Sequence, residues 1–157
     1  MESAHVGLIL DSNVVIAGER RGHTVRQILE QFRTVYGEIE IGISVVTVVE
    51  LTHGVQRAGT EERRLRRQAF VDEMIRNVPV HPVSLETAKL AGRIEGDQAA
   101  RGTAISFEDL LIAATALQLG FGVAKGNIRH FEVPWLGGDH REERRADWQL
   151  PKGHPAG

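Results

Sequence analysis

Short apolar runs alternate with segments of helical periodicity along most of this chain, and this alternation restricts the possible folds more than any other feature. Val6 to Leu10 is apolar throughout, as in strands that are buried on both faces of a parallel sheet. Further strands are predicted at Ile39 to Ser44, at Pro79 to Val83 and at Phe121 to Ala124, and the prolines of the third suit an edge position. Strands that alternate with helices predict a three-layer α/β/α sandwich around a short, mainly parallel sheet of four to five strands.

Helices are predicted between and after these strands. The first, Thr24 to Val35, carries one apolar stripe made of Val25, Ile28, Leu29 and Phe32. That stripe is wider than a short helix needs in order to pack against the core, so part of it is expected to form an interface. The remaining helices are expected at Thr47 to Arg57, after the cap residue Thr60, from the cap residue Ser84 to Gly102, and at Phe107 to Leu119 between Ser106 and Gly120. The buried face of the helix after Thr60 is expected to be Phe70, Val71, Met74, Ile75 and Val78.

A chain of 157 residues suits a single domain, which is expected at residues 1–136. Residues 137–157 are rich in glycine, proline and charge, and they predict a frayed tail with a turn around Trp148. The absence of cysteine excludes disulfides, thiolate catalysis and cysteine-bound zinc. No apolar run approaches the roughly 20 residues of a membrane span, and the N-terminus lacks the basic start of a signal peptide, so a cytoplasmic location is expected.

Three isolated carboxylates and one amide lie where apolar segments begin or end. Asp11 follows the first strand, Glu50 follows the apolar run that contains the second, Asp109 precedes Leu110 to Ala114, and Asn127 follows the fourth strand. Because the carboxyl ends of parallel strands share one edge of a sheet, these side chains are expected to meet there. Like charges gathered in one place repel each other, and a divalent cation is the simplest way to hold them together. The pattern therefore predicts metal-dependent phosphoryl chemistry.

Each of these carboxylates also has a structural interpretation. Ser106 and Asp109 fit a capping box, and Asp11 could cap a helix after the first strand. Taken alone, the structural interpretation is the better one for both aspartates. Glu50 is harder to explain in this way, because a carboxylate on the buried side of an apolar segment needs a partner. Taken together, the three carboxylates favour a site.

The net charge of -2 gives no general attraction to nucleic acid, so any basic surface must be local. Such a surface is predicted near the helix after Thr60, where the arginines are Arg57, Arg63, Arg64, Arg66 and Arg67. They either bind an RNA backbone or form a solvated face that is paired with Glu61, Glu62 and Asp72. No glycine-rich phosphate-binding motif occurs, which argues against a nucleotide cofactor.

Four motifs, in order, resemble those of the PIN-domain family. Leu8 to Asn13, followed by Val49-Glu50-Leu51 and Gly54, resembles the opening of such a domain. Gly102 to Ile105, followed by Asp109 to Leu117, resembles the third motif, and Gly126-Asn127-Ile128-Arg129-His130-Phe131 resembles the fourth. Order, spacing and size match the bacterial toxins of VapBC toxin–antitoxin pairs over roughly residues 6 to 136.

The resemblance implies a PIN-like fold and an endoribonuclease in which Mg²⁺ or Mn²⁺ assists the attack of water on an RNA phosphodiester. It implies that Asp11 and Asp109 bind the ion directly, and that Glu50 either binds it or orients a water molecule beside it. Asn127 falls near the fourth acidic position, where an amide oxygen can ligate a hard cation without adding charge. Because the site is then less negative, a second ion is expected to bind weakly.

Weaker candidates for contact with substrate lie beside these motifs: Ser12, Asn13, Lys125, Arg129 and His130. Turn chemistry explains Ser12 and Asn13 equally well. Lys125 stands where relatives often carry threonine, and its ammonium group could orient a phosphate or compete with the metal. Trp135 departs from the usual Pro-Gly-Leu, and its indole could stack on a base or cap the edge of the core.

The resemblance also implies partners, namely an RNA substrate, a small VapB-type antitoxin whose tail enters the acidic groove, and a second copy of the chain in a homodimer. Two rival functions remain open. One is a catalytically impaired PIN-like module that only binds RNA or protein. The other is an Asp-based phosphoryl-transfer or phospho-receiver domain with Asp11 as the acceptor and Lys125 as the strand-end lysine. A phosphatase of this kind would want Asp-x-Asp at the first strand, but residue 13 is asparagine. A phospho-receiver would want an acidic pair there, which is absent, and its acceptor aspartate should end the third strand, where Pro82-Val83-Ser84 stands.

Overall fold

The structure, a computed structural model, describes residues 7–125 and the backbone of residues 131–132. Its centre is a five-stranded sheet in the order β3-β2-β1-β4-β5. The strands are β1 Gly7–Leu10, β2 Glu40–Ser44, β3 Val80–His81, β4 Gly122–Ala124 and β5 Phe131–Glu132. The first four run parallel to one another, whereas β5 is antiparallel to β4. The mainly parallel sheet is therefore confirmed, and β3 lies at an edge of it, as its prolines predict.

Six helices lie within the described residues. They are α1 Ser12–Arg20, α2 Val25–Tyr36, α3 Val45–Gln56, α4 Glu61–Asn77, α5 Leu85–Ala100 and α6 Phe107–Leu119. Local capping explains where the last three begin, because the side chains of Thr60, Ser84 and Ser106 each accept a hydrogen bond from a backbone N–H three residues later. Gly120 ends α6 with a φ of 71°, a left-handed conformation that favours glycine. A helix after β1, capped by Asp11, is confirmed as α1. Its bounds could not be predicted, because the apolar residues 14–17 are consecutive and show no helical period.

The sheet separates two apolar layers, because successive side chains of a strand point to opposite faces. Leu8 and Leu10 of β1 join the larger cluster, to which α1, α2, α3 and α4 contribute. Ile9 points to the other face and packs with Ile112 and Ala116 of α6. Helix α5 packs in turn against α6. The predicted three-layer α/β/α order is confirmed.

Two predictions about apolar faces are wrong. The stripe on α2 is Val25, Ile28, Leu29 and Phe32, and each of these residues is at most 7% exposed. It packs into the core beside α1 and α4 of the same chain, so it does not form an interface. On α4, Ile75 is 46% exposed rather than buried. Both errors have one cause, because the sequence shows which residues are apolar but neighbouring elements decide which of them are covered.

The described residues do not extend to the predicted end of the domain. The boundary at residue 136 and the turn around Trp148 lie outside the described residues and remain predictions. Within the described ranges, every helix is too short or too polar to span a bilayer.

Candidate active site

The carboxyl ends of β1, β2 and β4 lie at one edge of the sheet. The backbone N–H of Asp11, the residue after β1, donates to the carbonyl oxygen of Ala124 at the end of β4, with an N–O distance of 3.0 Å. Ser44 ends β2 and caps α3, which carries Glu50 in its second turn. The negative charge of Asp109, in the first turn of α6, acts on both Asp11 and Glu50. The structure therefore brings together the three carboxylates that the sequence singles out.

Asp11 has a structural role and also carries charge into this edge. It is the N-cap of α1, and its Oδ2 accepts a hydrogen bond from the backbone N–H of Asn13 at 3.2 Å. The residue is only 4% exposed. Burial raises the pKa of the Asp11 carboxyl above its ordinary 3.8 and the charge of Asp109 raises it further, while the bond from Asn13 and the charge of Lys125 oppose the rise. The cap explains the position of this aspartate but not the burial of its charge.

Glu50 lies among like charges. Burial raises the pKa of its carboxyl above the ordinary 4.5, and a hydrogen bond with the Ser12 side chain opposes that rise. The negative charges of Asp11, Glu108 and Asp109 raise the pKa of Glu50 further. Glu108 is a fourth acidic group that sequence reasoning missed, although its position directly before Asp109 in the first turn of α6 was a signal.

Asp109 begins α6 without completing a capping box. The Ser106 hydroxyl accepts a hydrogen bond from the backbone N–H of Asp109 at 3.2 Å. Within the described part of the chain, the Asp109 carboxylate makes no return bond to the Ser106 backbone. Asp109 therefore contributes its backbone N–H to the cap of α6.

A buried pair of hydroxyl groups joins the start of α1 to α3. The Ser12 Oγ is 3.1 Å from the Thr47 Oγ1, and the two residues are 2% and 0% exposed. Sequence reasoning missed Thr47, although it precedes Glu50 by three residues and so lies on the same side of α3. Asn13, by contrast, contributes its backbone N–H to Asp11 while its side chain is exposed.

The donor set fits a hydrated divalent cation. Carboxylate oxygens are the ligands that hard cations take, and the charges of Asp11, Glu50 and Asp109 act on one another here. No group of three or more acidic or histidine side chains, among the residues that the structure describes, is arranged to hold one ion directly. Mg²⁺ commonly binds through one or two carboxylates and keeps several of its water molecules. An ion held in this way needs only one or two of these carboxylates as direct ligands.

A cavity of about 100 Å³ lies beside Glu50, between α1, α3 and α4. Its lining combines apolar and charged side chains, among them Ile16, Leu51, Phe70, Glu19, Arg20 and Arg67. The Nη1 of Arg67 donates to the carbonyl oxygen of Gly54 at 2.8 Å, which fixes this arginine beside the cavity. On the exposed surface of α4, Arg64 pairs with Glu61, as the solvated-face interpretation predicts.

Several predicted site residues are not described. Asn127, Arg129, His130 and Trp135 lie outside the described residues, so their roles remain predictions. Lys125 is the last described residue before the first of these gaps, and it is half-buried.

Comparison with known proteins identifies the family. The model of the PIN domain matches residues 8–136. Ribonuclease VapC1 of Rickettsia felis is 30% identical over 127 residues, which cover 81% of this chain and 90% of that protein. Among solved structures, VapBC2 from Rickettsia felis, bound to a DNA fragment from its promoter, has a TM-score of 0.65 at 19% identity, covering 79% of this chain and 89% of that one. DNA-bound VapBC from Salmonella typhimurium has a TM-score of 0.60 at 27% identity, and the match covers 74% of this chain and 83% of that one. The chain therefore belongs to the PIN-domain family and is homologous to the VapC ribonucleases.

Proposed function

We propose that this chain is a metal-dependent endoribonuclease and the toxin of a type II toxin–antitoxin system. The observation that carries the proposal is the meeting of Asp11, Glu50 and Asp109, from three distant segments, at the carboxyl edge of the sheet. Burial and repulsion disfavour the ionised forms of Asp11 and Glu50, so this arrangement costs stability unless a positive ligand binds there. Homology to Ribonuclease VapC1 supports RNA as the substrate.

Asp11, Glu50 and Asp109 would hold Mg²⁺ or Mn²⁺, with Asn127 as an uncharged fourth group. When bound, such an ion polarises the scissile phosphate and lowers the pKa of water toward neutrality. The chain prepares its own groups for this task. The capping bond from Asn13 orients the Asp11 carboxylate, and the Ser12 side chain lowers the pKa of Glu50 and so favours its ionised form.

Lys125 supplies positive charge at the same edge. It follows β4, and its charge lowers the pKa of Asp11, so its ammonium group acts close to the acidic cluster. We assign it to orienting the RNA phosphate, which carries the charge that an ammonium group attracts. Weaker contacts with substrate are proposed for Ser12, Asn13, Arg129 and His130.

The partners follow from the relatives. Solved structures similar to this chain include VapBC complexes, which supports a VapB-type antitoxin as its partner. An arginine from the antitoxin would pair with the carboxylates and compete with the metal ion, because charge-assisted pairs of this kind are strong. A homodimer and a cytoplasmic location belong to the same proposal.

Cleavage of a structured RNA pool tests the proposal. Purified protein should cleave RNA with Mg²⁺ or Mn²⁺ and not with EDTA, and Asp11→Asn should abolish the cleavage. Asp97→Asn is a matched control, because Asp97 is an exposed aspartate on α5. If RNA stays intact under all conditions while the protein is folded, the chain is a catalytically impaired PIN-like binding module, and Lys125 and Asn127 become the first residues to change to threonine and aspartate.

The phospho-receiver alternative loses its support. It requires an acidic acceptor at the end of the third strand, but β3 ends at His81 and is followed by Pro82-Val83-Ser84. Membership of the PIN-domain family points to a different use of Asp11.

A further inference from the structure

Gly54 lies inside helix α3, where neither its backbone nor its described neighbours require glycine. Its backbone is helical, whereas the positive φ that favours glycine occurs elsewhere in the chain, as at Gly120. Apart from the backbone of its own helix, a Cβ added to Gly54 would have no heavy atom of the described residues within 4 Å. Glycine in a helix interior is less stable than alanine. The missing side chain therefore costs stability and leaves open space.

Gly54 lines the cavity beside Glu50, together with Leu51 and Phe70. The cavity measures about 100 Å³ and is partly open to solvent. An enclosed apolar cavity of about 150 Å³ holds one benzene ring. The cavity therefore has room for one flat ring, but not for a helix or an extended segment of another chain. Because no atom confines a Cβ at Gly54, a longer side chain there can extend into this space.

The cavity offers polar groups as well as apolar walls. Arg20 and Arg67 line it and can supply N–H donors. Glu19 and Glu50 line it and can supply acceptor oxygens. The bond from the Arg67 Nη1 to the Gly54 carbonyl oxygen leaves the other N–H groups of this guanidinium for a ligand. Between residues 7 and 125, no ion pair joins either arginine to a carboxylate.

The cavity adjoins the acidic edge of the sheet. Glu50 lines the cavity and follows Thr47 by about one turn of α3. The Thr47 Oγ1 is 3.1 Å from the Oγ of Ser12, the residue directly after Asp11. A nucleotide whose phosphate lies at these carboxylates therefore has the cavity within reach of its base.

We propose that this cavity binds one unstacked base of the RNA substrate, and that Gly54, by lacking a side chain, keeps it open. The inference rests on the proposed endoribonuclease function and adds a base-binding position to it. Proteins recognise single-stranded RNA by stacking splayed-out bases on aromatic rings or guanidinium groups and by bonding to the base edges. Phe70 and Arg67 are residues of these kinds in the cavity wall. An apolar side chain of a protein partner would use the walls but leave the donors unused.

The experiment measures RNA binding by fluorescence anisotropy in EDTA, in which the proposed enzyme leaves RNA intact. One probe is a single-stranded RNA of about 12 nucleotides that contains all four bases, and the other is the same chain built from abasic nucleotides. Gly54→Leu fills the cavity and should weaken binding of the RNA by about 5–150-fold, the effect of losing one stacked base. Binding of the abasic chain should not change, because only bases enter the cavity.

Gly96→Leu is the matched control. Gly96 is also a helical glycine, on α5, whose added Cβ would have no heavy atom of the described residues within 4 Å, and it does not line the cavity. This variant should bind both probes like the wild type. Equal weakening of RNA binding by Gly96→Leu and Gly54→Leu would overturn the proposal, because the effect would then not depend on the cavity.

Unchanged RNA affinity in Gly54→Leu overturns the proposal and leaves the cavity to a side chain of a protein partner. Equal weakening of both probes by Gly54→Leu, or equal affinity of the wild type for both, overturns it too. If Gly54→Leu does not fold, Gly54→Ala replaces it. That variant should melt about 2–4 °C above the wild type and bind the RNA more weakly. A lower melting temperature or unchanged RNA affinity in Gly54→Ala overturns the proposal.

The outcomes separate this inference from the proposed function. If the wild type cleaves RNA with Mn²⁺ and Gly54→Leu binds RNA normally, the endoribonuclease stands and the base site fails. If Gly54→Leu loses base-dependent binding and the wild type cleaves no RNA, the base site stands and the endoribonuclease fails.

Discussion

Asp11 both caps α1 and carries charge into the acidic cluster, and two substitutions separate these roles. Asp11→Asn removes the charge and keeps the cap, because asparagine and aspartate are about equally good N-caps. Asp11→Ala removes both. We expect Asp11→Asn to raise the stability of the metal-free protein, since burial and the charge of Asp109 disfavour the ionised carboxylate. The alanine variant should keep only part of this gain.

The capping bond from the Asn13 N–H, at 3.2 Å, sets the difference between the two variants. Loss of an N-cap side chain costs about 1 kcal/mol, which in a domain of this size lowers the melting temperature by about 2–4 °C. Asp11→Ala should therefore melt about 3 °C below Asp11→Asn at every pH. The gain of Asp11→Asn over the wild type depends on the raised pKa, and each unit of that rise is worth about 1.4 kcal/mol.

This gain changes with pH, because only the ionised carboxylate is disfavoured. The pKa of Asp11 lies above 3.8 in the folded protein and near 3.8 in the unfolded chain, so the unfolded chain ionises first as the pH rises. The wild type therefore loses stability as the pH rises from 3.8 through the folded-state pKa, and it regains this stability on acidification. Thermal unfolding of the three proteins in EDTA, from about pH 4 to pH 8, measures the effect. The wild type and Asp11→Asn should diverge as the pH rises, while the gap between the two variants stays constant.

Excess Mn²⁺ should then reverse the order of wild type and Asp11→Asn. A ligand at 100 times its Kd stabilises the folded state by about 2.7 kcal/mol, and only the wild type keeps the Asp11 carboxylate. The reasoning is refuted if Asp11→Asn melts below the wild type in EDTA at neutral pH. That result would mean that positive charge, such as that of Lys125, already compensates the carboxylate. An equal Mn²⁺ shift in both proteins would remove Asp11 from the metal site.

Three further predictions concern the core and the arginines of α4. Gly42→Ala should lower the free energy of unfolding in urea by about 1–3 kcal/mol, because the added Cβ would lie 2.7 Å from the Nε2 of His81; an unchanged value would show that this ring moves aside. Met74→Ala, at a fully buried position, should cost about 2–5 kcal/mol in the same assay, and a smaller loss would mean that the surrounding helices close the space. Arg63→Ala and Arg66→Ala, both exposed, should each reduce the slope of log K against log salt for RNA binding by about 1; an unchanged slope would leave them as a solvated face.

Much of the secondary structure could be predicted, because the signals act within one turn of chain. The caps at Thr60, Ser84 and Ser106 each join residues three apart, and Gly120 ends α6 through its own backbone conformation. The exposure of Ile75 could not be predicted in the same way. It depends on which faces of α4 the neighbouring elements cover, and the identity of an apolar residue does not specify which elements will pack against it.

For the site, the sequence by itself determined which residues can carry the proposed chemistry, since Asp11, Glu50 and Asp109 are charges next to apolar segments. Only the tertiary structure decided that their charges act on one another, and that Thr47 contacts Ser12. The contact of Thr47 with Ser12 spans 35 residues and forms because β1 and β2 pair side by side, so the helices that follow them start together. Capping and periodicity act within a turn, whereas burial, repulsion and long-range hydrogen bonds exist only after the strands have paired.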